Sequence, residues 1–384
     1  MQSVLFWMAA TTASLFMGMV ILLLHGRGHM RLLRDVEPLA EGELPRVSVV
    51  VAARDEERNM EQAVRSMLAQ DLPGLELVVV DDRSTDRTGA ILDSLAADDP
   101  RLRVVHVREL PKGWLGKNHA LELGAAEASG ELILFTDADI VMKPDTIRRA
   151  ASYFTRERLD HLTMAPHIDM PGFLLRAFGV FFGICFLLFS RPWQARNPRS
   201  ASHIGIGAFN LVRAESYRRI GTHRAIAMRP DDDMKLGKLV KKNGLRQDFL
   251  VGVDHISVEW YRTVGEAVHG LRKNGFAGVD YRISVVIFAT IMQLATFVFP
   301  FIAVFITTGP TRLLYALTVA IILGIYGGAA REQRAPVWGG ILTPVLSLLF
   351  ITVLWNATLY ALLHRGIEWR GTHYPLDELR ANRV

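Results

Sequence analysis

Apolar residues in this chain fall into two kinds of run. The long kind is nearly unbroken. Val4–Leu24 contains no charged residue and, at about 1.5 Å per residue, would span roughly 30 Å as a helix. Ile283–Thr308, Leu313–Ala330 and Val337–Leu363 are similar, with lengths of roughly 18 to 27 residues that suit a bilayer crossing. Phe173–Phe189 is also almost wholly apolar, but it contains Arg176 and is bracketed by Pro171 and Pro192. The short kind is strand-sized: Arg46–Ala52, Leu75–Val80, Leu102–His106 and Leu132–Phe135. Between these lie stretches with helical spacing. Asn59–Gln70 places Met60, Val64, Met67 and Leu68 on one face. A second helix capped by Ser84 or Thr85 is expected to run to about Leu95, and others over Gly116–Ala128, Pro144–Phe154 and Asp231–Asn243. Ile204–Val212 (IGIGAFNLV) reads as a further strand whose glycines permit close backbone approach.

Alternation of this kind predicts an α/β domain with a mostly parallel, Rossmann-like sheet covered by helices on both faces. Ligands of such sheets lie in the crevice at the carboxyl ends of the strands. The order of charge around the first long run fixes its role. Arg27, His29, Arg31 and Arg34 follow it, whereas a cleavable leader carries its basic residues in front. It is therefore expected to be a permanent anchor with the following segment on the cytoplasmic side. The expected domains are an anchor over residues 1–26, a basic linker over 27–44, the α/β domain over 45–282, and C-terminal membrane segments with a tail over 283–384. A full crossing near 173–190 would split the α/β domain across the bilayer, so that segment is expected to lie in the membrane plane. Three complete C-terminal crossings would carry the arginine-rich tail after His364 outside, against the positive-inside rule.

Composition narrows the class further. Half of the 384 residues are hydrophobic, and the mean hydropathy is +0.20, high for a purely soluble protein. One cysteine, Cys185, excludes an internal disulfide framework. A net charge of +5 is explained by basic flanks of membrane segments without a nucleic-acid partner. The large polar region and the few spans exclude a transporter.

Candidate chemistry sits at three strand ends: Arg54-Asp55-Glu56, Asp81-Asp82 and Asp137-Ala138-Asp139. In extended backbone, residues i and i+2 point the same way, so Asp137 and Asp139 can face one ligand. Two carboxylates past a buried strand suit Mg²⁺ or Mn²⁺, which commonly carry phosphates. About four acid-x-acid triplets would arise by chance in a chain this acidic, so the strand context carries the signal. His161, His167 and His203 have no metal-site spacing and are assigned structural or surface roles. Gly205-Ile-Gly207 lacks the third glycine of a dinucleotide fingerprint.

The ordered series VVVDDRSTDRT, WLGKNHAL, LFTDADI and RPDDDMKLG, with the tail GIEWRGTHYPL, resembles the membrane-bound family 2 glycosyltransferases of GT-A fold, in particular the ceramide glucosyltransferase-like branch. The resemblance implies a cytosolic catalytic domain anchored in a membrane of bacterial inner-membrane type. It also implies transfer of a sugar from a nucleoside diphosphate donor, expected to be a UDP-sugar, to a membrane lipid hydroxyl. Asp82 and the Arg54–Glu56 loop would border the nucleoside, Lys117 would face the donor, and Asp139 would ligate the metal with Asp137 beside it and the donor sugar. Asp233 would be the base and Asp232 its neighbour, since Asp232–Leu236 matches the frame of the family's acid pair. Crowded like charges would raise one carboxyl pKa toward neutrality; the plainer reading is an acidic helix start favoured by the dipole. A lone base implies inversion at the donor's anomeric carbon. The family's Gln-x-x-Arg-Trp motif is replaced by Glu266–Asn274 (EAVHGLRKN). Arg272 or Lys273 is the expected diphosphate cation there, with Trp260 as an aromatic wall, and Trp114 either stacks on a sugar or packs. The rival functions are a polyprenyl-phosphate sugar or polysaccharide synthase and a catalytically silent membrane scaffold.

Overall fold

The computed structural model describes residues 2–384, and the chain separates into two compact units. One is polar and comprises residues 30–168, 192–259 and 368–384; the other holds the long apolar helices over 2–29, 169–191 and 260–367.

The polar unit contains strands β1 (Arg31–Leu32), β2 (Val47–Ala53), β3 (Glu76–Asp82), β4 (Leu102–Val107), β5 (Leu132–Asp137), β6 (Ile140–Met142), β7 (His161–Ala165), β8 (His167–Asp169), β9 (Asn210–Arg213), β10 (Gln247–Val251) and β11 (Ile256–Glu259). Eight of them form one sheet in the order β1-β10-β7-β9-β5-β2-β3-β4. Its pairings are parallel except at β9, which runs antiparallel to both β5 and β7. The sheet is buried on both faces, as a parallel sheet requires. Val47, Val49, Val51, Leu77 and Leu134 belong to the core on one face, while Val50, Val78, Val80 and Ile133 belong to the other. A second, three-stranded sheet runs β6-β11-β8.

Two expected elements differ. The helix after β3 starts at Thr88, not at Ser84 or Thr85. Those two side chains bind the neighbouring loop instead: Asp55 N–H donates to Ser84 Oγ at 3.1 Å, and Thr85 N–H donates to Asp55 Oδ1 at 2.7 Å. The run Ile204–Phe209 forms no strand; only Asn210–Arg213 does. Its backbone is satisfied by side chains rather than by a ladder. Ile204 N–H donates to Gln247 Oε1 (3.0 Å), Ile206 N–H to Thr163 Oγ1 (3.0 Å), and Gly207 N–H to Asp233 Oδ2 (2.9 Å).

Beneath that loop His161 is fully buried. Gln247 Nε2 donates to its Nδ1 at 2.9 Å, so its Nε2–H faces Asn210 Oδ1 at 3.1 Å. Burial pushes the imidazole down to about 4, against the weaker opposing effect of the Asn210 bond.

The apolar unit holds five helices long and apolar enough to cross a membrane: Gln2–His29, Phe173–Gln194, Ile283–Ile306, Gly309–Glu332 and Val337–Leu363. Contacts within the unit order several of them. Ala9 packs with Ala303 and Tyr315, Phe16 meets Phe297 edge-to-face at 5.5 Å, and Arg27 pairs with Glu332 at 3.0 Å. The first helix therefore runs antiparallel to Ile283–Ile306 and parallel to Gly309–Glu332. Phe178, Phe181 and Ile184 pack against Phe297, Ile322, Tyr326 and Leu346. The segment near 173–190 and everything from Trp260 to Ile367 thus sit with these helices, whereas boundaries at 45 and 282 would include 173–190 and 260–282 in the α/β domain.

The His161 network predicts acid sensitivity. A histidine held neutral stabilises the fold fully above its unfolded pKa, and that contribution fades as pH falls from about 6.5 toward about 4. His161 should therefore cost about 2 kcal/mol of unfolding free energy at pH 5 relative to pH 7.5. Denaturant titrations of the detergent-solubilised chain should show this loss, and His161→Gln should flatten the slope; parallel slopes for the two proteins would refute the assignment.

Candidate active site

A small recess lies at the end of β5, lined among others by Lys117, Asp137, Gly207, His223, Asp232 and Asp233. Each comes from a different turn of chain. Asp137 ends β5, and Lys117 opens the helix Gly116–Glu127. Asp232 and Asp233 open the helix Asp232–Lys242, where a helix start favours negative charge. Lys117 Nζ bridges the two acidic segments, 2.8 Å from Asp137 Oδ1 and 3.3 Å from Asp232 Oδ2. Burial works against its charge, but Asp137, Asp232 and Asp233 outweigh that and raise its pKa, so it is a fixed cation.

The acidic triplet divides its work. Asp231 is a structural ion: Arg229 binds it through Nε–Oδ1 (2.8 Å) and Nη2–Oδ2 (3.0 Å), and Lys235 Nζ adds a contact at 3.4 Å. Asp232 pairs with Lys117. Asp233 receives backbone N–H groups, from Gly207 (2.9 Å) and Met234 (2.7 Å). Its pKa rises to about 7, through burial first and then through the adjacent Asp232 carboxylate. Like-charge crowding is thus present as expected, but desolvation is the larger cause.

Glycines make this closeness possible. A Cβ on Gly205 would lie 1.8 Å from the Asp233 carbonyl oxygen, and one on Gly237 would lie 2.0 Å from that of Ile204. One on Gly207 would lie 2.4 Å from Asp137 Oδ2. Asn118 fastens the Lys117 helix to the segment before the triplet, its Nδ2 donating to the carbonyls of Ile226 (2.8 Å) and Arg229 (2.9 Å).

Asp139 has no such compensation. Burial, Asp137 and Glu56, in that order, push its carboxyl up to about 7. Among the described residues no group of three or more His, Cys, Asp or Glu side chains could hold a metal. The carboxylate oxygens of Asp137 and Asp139 nonetheless fit Mg²⁺ or Mn²⁺, hard ions that take one or two carboxylates and complete their shell with substrate phosphates.

On the nucleoside side, Asp82 lies against Gly116, where a Cβ would sit 2.2 Å from its Oδ2. Arg83 grips Asp82 through Nε–Oδ1 (2.7 Å) and Nη2–Oδ2 (2.9 Å), with Arg54 Nη1 3.8 Å away. Glu56 N–H donates to Thr88 Oγ1 at 2.8 Å, tying the Arg54–Glu56 loop to the neighbouring helix. Trp114 packs edge-on to His119 at 5.6 Å, with the Arg224 guanidinium 5.9 Å from its ring. Trp260, Arg272 and Lys273 belong to the helical unit. There Trp260 contacts Phe182 and Tyr261, while Arg272 Nε donates to Asn356 Oδ1 at 2.9 Å and its guanidinium lies over Tyr360 at 4.2 Å. Arg83 and Arg229 escaped the sequence reading, although each stands beside an acidic cluster.

Residues 48–221 match the Glycosyl transferase family 2 model. That stretch, just under half of the chain, is thus similar to family 2 glycosyltransferases. Over 127 residues it is 37% identical to beta-monoglucosyldiacylglycerol synthase of Synechocystis sp., covering 31% of this chain and 26% of that protein. Over 238 residues it is 24% identical to 4,4'-diaponeurosporenoate glycosyltransferase of Staphylococcus haemolyticus, covering 60% and 61%. The chain spans about a quarter to just over a third of the length of the first curated relatives it matches. A mannosyltransferase from Pyrobaculum calidifontis, solved with GDP-Man and Mn²⁺, superposes with a TM-score of 0.55 at 20% identity, over 93% of this chain and 99% of that one. The α/β fold is accordingly of the GT-A type, as expected.

The glycine contacts give a direct test. Gly205→Ala should force the loop off the Asp233 backbone, lowering stability by at least about 2 kcal/mol and nucleotide-dependent turnover by at least about 100-fold. Gly28→Ala, with no neighbour within 4 Å, serves as the control. Equal melting temperatures and rates for the two variants would show that this close approach is unimportant.

Proposed function

We propose that this chain is an inverting glycosyltransferase that moves a sugar from a nucleoside diphosphate donor, a UDP-sugar by preference, to the hydroxyl of a membrane lipid. The observation that carries the reading is Asp233, a buried carboxylate with a pKa near 7 beside the Lys117–Asp137 pair. A carboxylate tuned to neutral pH suits abstraction of a hydroxyl proton as the acceptor oxygen attacks the anomeric carbon. Among the described residues lining the recess, Asp137 and Asp232 are paired with Lys117, which leaves Asp233 as the base and supports single displacement. Asp232, held by Lys117, keeps its neighbour's pKa high and orients the helix start.

Asp139, with Asp137, would hold a divalent cation, which when bound supplies charge neutralisation on the leaving diphosphate. Lys117 adds a permanent positive charge on the same side, while Asp82 and the Arg54–Glu56 loop bound the nucleoside pocket. His223 supplies a wall rather than a proton: burial, helped by the Lys117 charge, depresses it to about 3.

The lipid acceptor is supported by the five apolar helices and by relatives whose names place them on diacylglycerol and diaponeurosporenoate. A polyprenyl-phosphate acceptor is already anionic and needs no base of raised pKa, which makes it the second choice. The interleaving of the two units bears on topology. Residues 30–168, 192–259 and 368–384 share one compact unit, which supports an even number of bilayer crossings for each intervening apolar stretch. A tail on the same side as the catalytic domain, the cytoplasmic side by the charge order of the anchor, agrees with that reading.

The test is nucleoside diphosphate release from a panel of sugar nucleotides by detergent-purified chain, with Mg²⁺ or Mn²⁺ and a total lipid extract. One donor should be turned over and a glycolipid should appear. Asp233→Asn and Asp139→Ala should each lower kcat by at least about 1,000-fold. The wild-type rate should fall as pH drops below about 7, where Asp233 takes up its proton. Wild-type rates in either variant would overturn the assignment of the site.

A further inference from the structure

The polar unit also contains residues 368–384, a segment that carries part of a family-like motif but has no task so far. Gly366–Trp369 and Thr372–Pro375 form a two-stranded hairpin. Its tip, Arg370-Gly371, has φ of 49° and 71°, the pair of left-handed residues that a two-residue hairpin turn demands. The tip and the strand after it land on the donor side of the site. Arg370 pairs through Nη2 with Glu56 and donates from Nη1 to the Asp55 carbonyl at 3.3 Å. Arg54 Nη1 reaches Thr372 Oγ1 at 3.5 Å, and the Tyr374 hydroxyl accepts the Gly116 N–H at 3.2 Å.

We propose that Arg370 is a donor-binding residue whose guanidinium grips the diphosphate of the sugar nucleotide, the part expected of Arg272 or Lys273. The inference rests on the donor class proposed above. Three of the four cations on this wall are held in place by buried or half-buried carboxylates: Arg54 and Arg83 by Asp82, and Lys117 by Asp137 and Asp232. Their side chains are 18–21% exposed, whereas that of Arg370 is 42% exposed and stands at the rim. A planar guanidinium fits paired phosphate oxygens as it fits a carboxylate, so the diphosphate can take the place of Glu56. Arg272 is instead engaged by Asn356 and Tyr360 within the helical unit.

Isothermal titration of the full chain in detergent with Mn²⁺, using UDP against uridine and GDP against guanosine, reads the contact directly. Arg370→Ala should weaken diphosphate binding about 10- to 100-fold and leave the nucleoside affinity unchanged, and Arg370→Lys should recover part of the loss. Unchanged diphosphate affinity would overturn the proposal. So would an equal loss for diphosphate and nucleoside, which would mean that Arg370 only steadies the 54–57 loop. Binding of neither diphosphate by the wild type would instead remove the donor reading, and this inference with it.

Discussion

A buried ammonium shared by two carboxylates holds the centre of this protein together. Lys117 joins the end of β5 to the start of the helix Asp232–Lys242, two segments about a hundred residues apart in sequence. Removing one member of such a cluster leaves a half-buried charge uncompensated, which destabilises the fold by less than loss of a fully buried pair would. The glycines at 205, 207 and 237 allow backbone to approach side chain and backbone at this point. The Arg229–Asp231–Lys235 group takes one carboxylate of the triplet out of play. What remains is a single carboxylate, Asp233, satisfied only by backbone donors among the described residues and poised near neutrality.

Much of this was legible in the chain. Continuous β-branched runs ended by acids announced a sheet buried on both faces with its chemistry at one edge, and the register of β2 between β3 and β5 brings Asp81 and Asp137 level. Like charges in succession announced a perturbed carboxyl group. Periodicity could not show which acid would be neutralised, because Arg229 and Lys235 choose Asp231 through contacts that exist only after folding. Nor could it show that IGIGAF would be a loop. Its apolar alternation is that of a strand, but buried Thr163, Asn210 and Gln247 offer its backbone better partners than a neighbouring strand does.

Local pattern also misplaced the cations. Arg272 and Lys273 occupy the sequence position of a motif that is missing here, yet Arg272 is bound inside the helical unit. The Gly-Thr-His-Tyr stretch after Arg370 carries no apolar periodicity, and nothing about its composition points to the strand ends it reaches.

That reach has a consequence for how the protein is made. Arg54 and Thr372 are 318 residues apart, so at about 5 to 20 residues per second the ribosome finishes the hairpin on the order of 15 to 60 s after the first strand of the sheet. Every apolar helix between them is synthesised in that interval. A nascent chain can therefore fold its sheet and collect its acids while one wall of the pocket is still missing. The wall arrives only behind the apolar helix Val337–Leu363, which ties the finished pocket to a chain in which that helix has already been made.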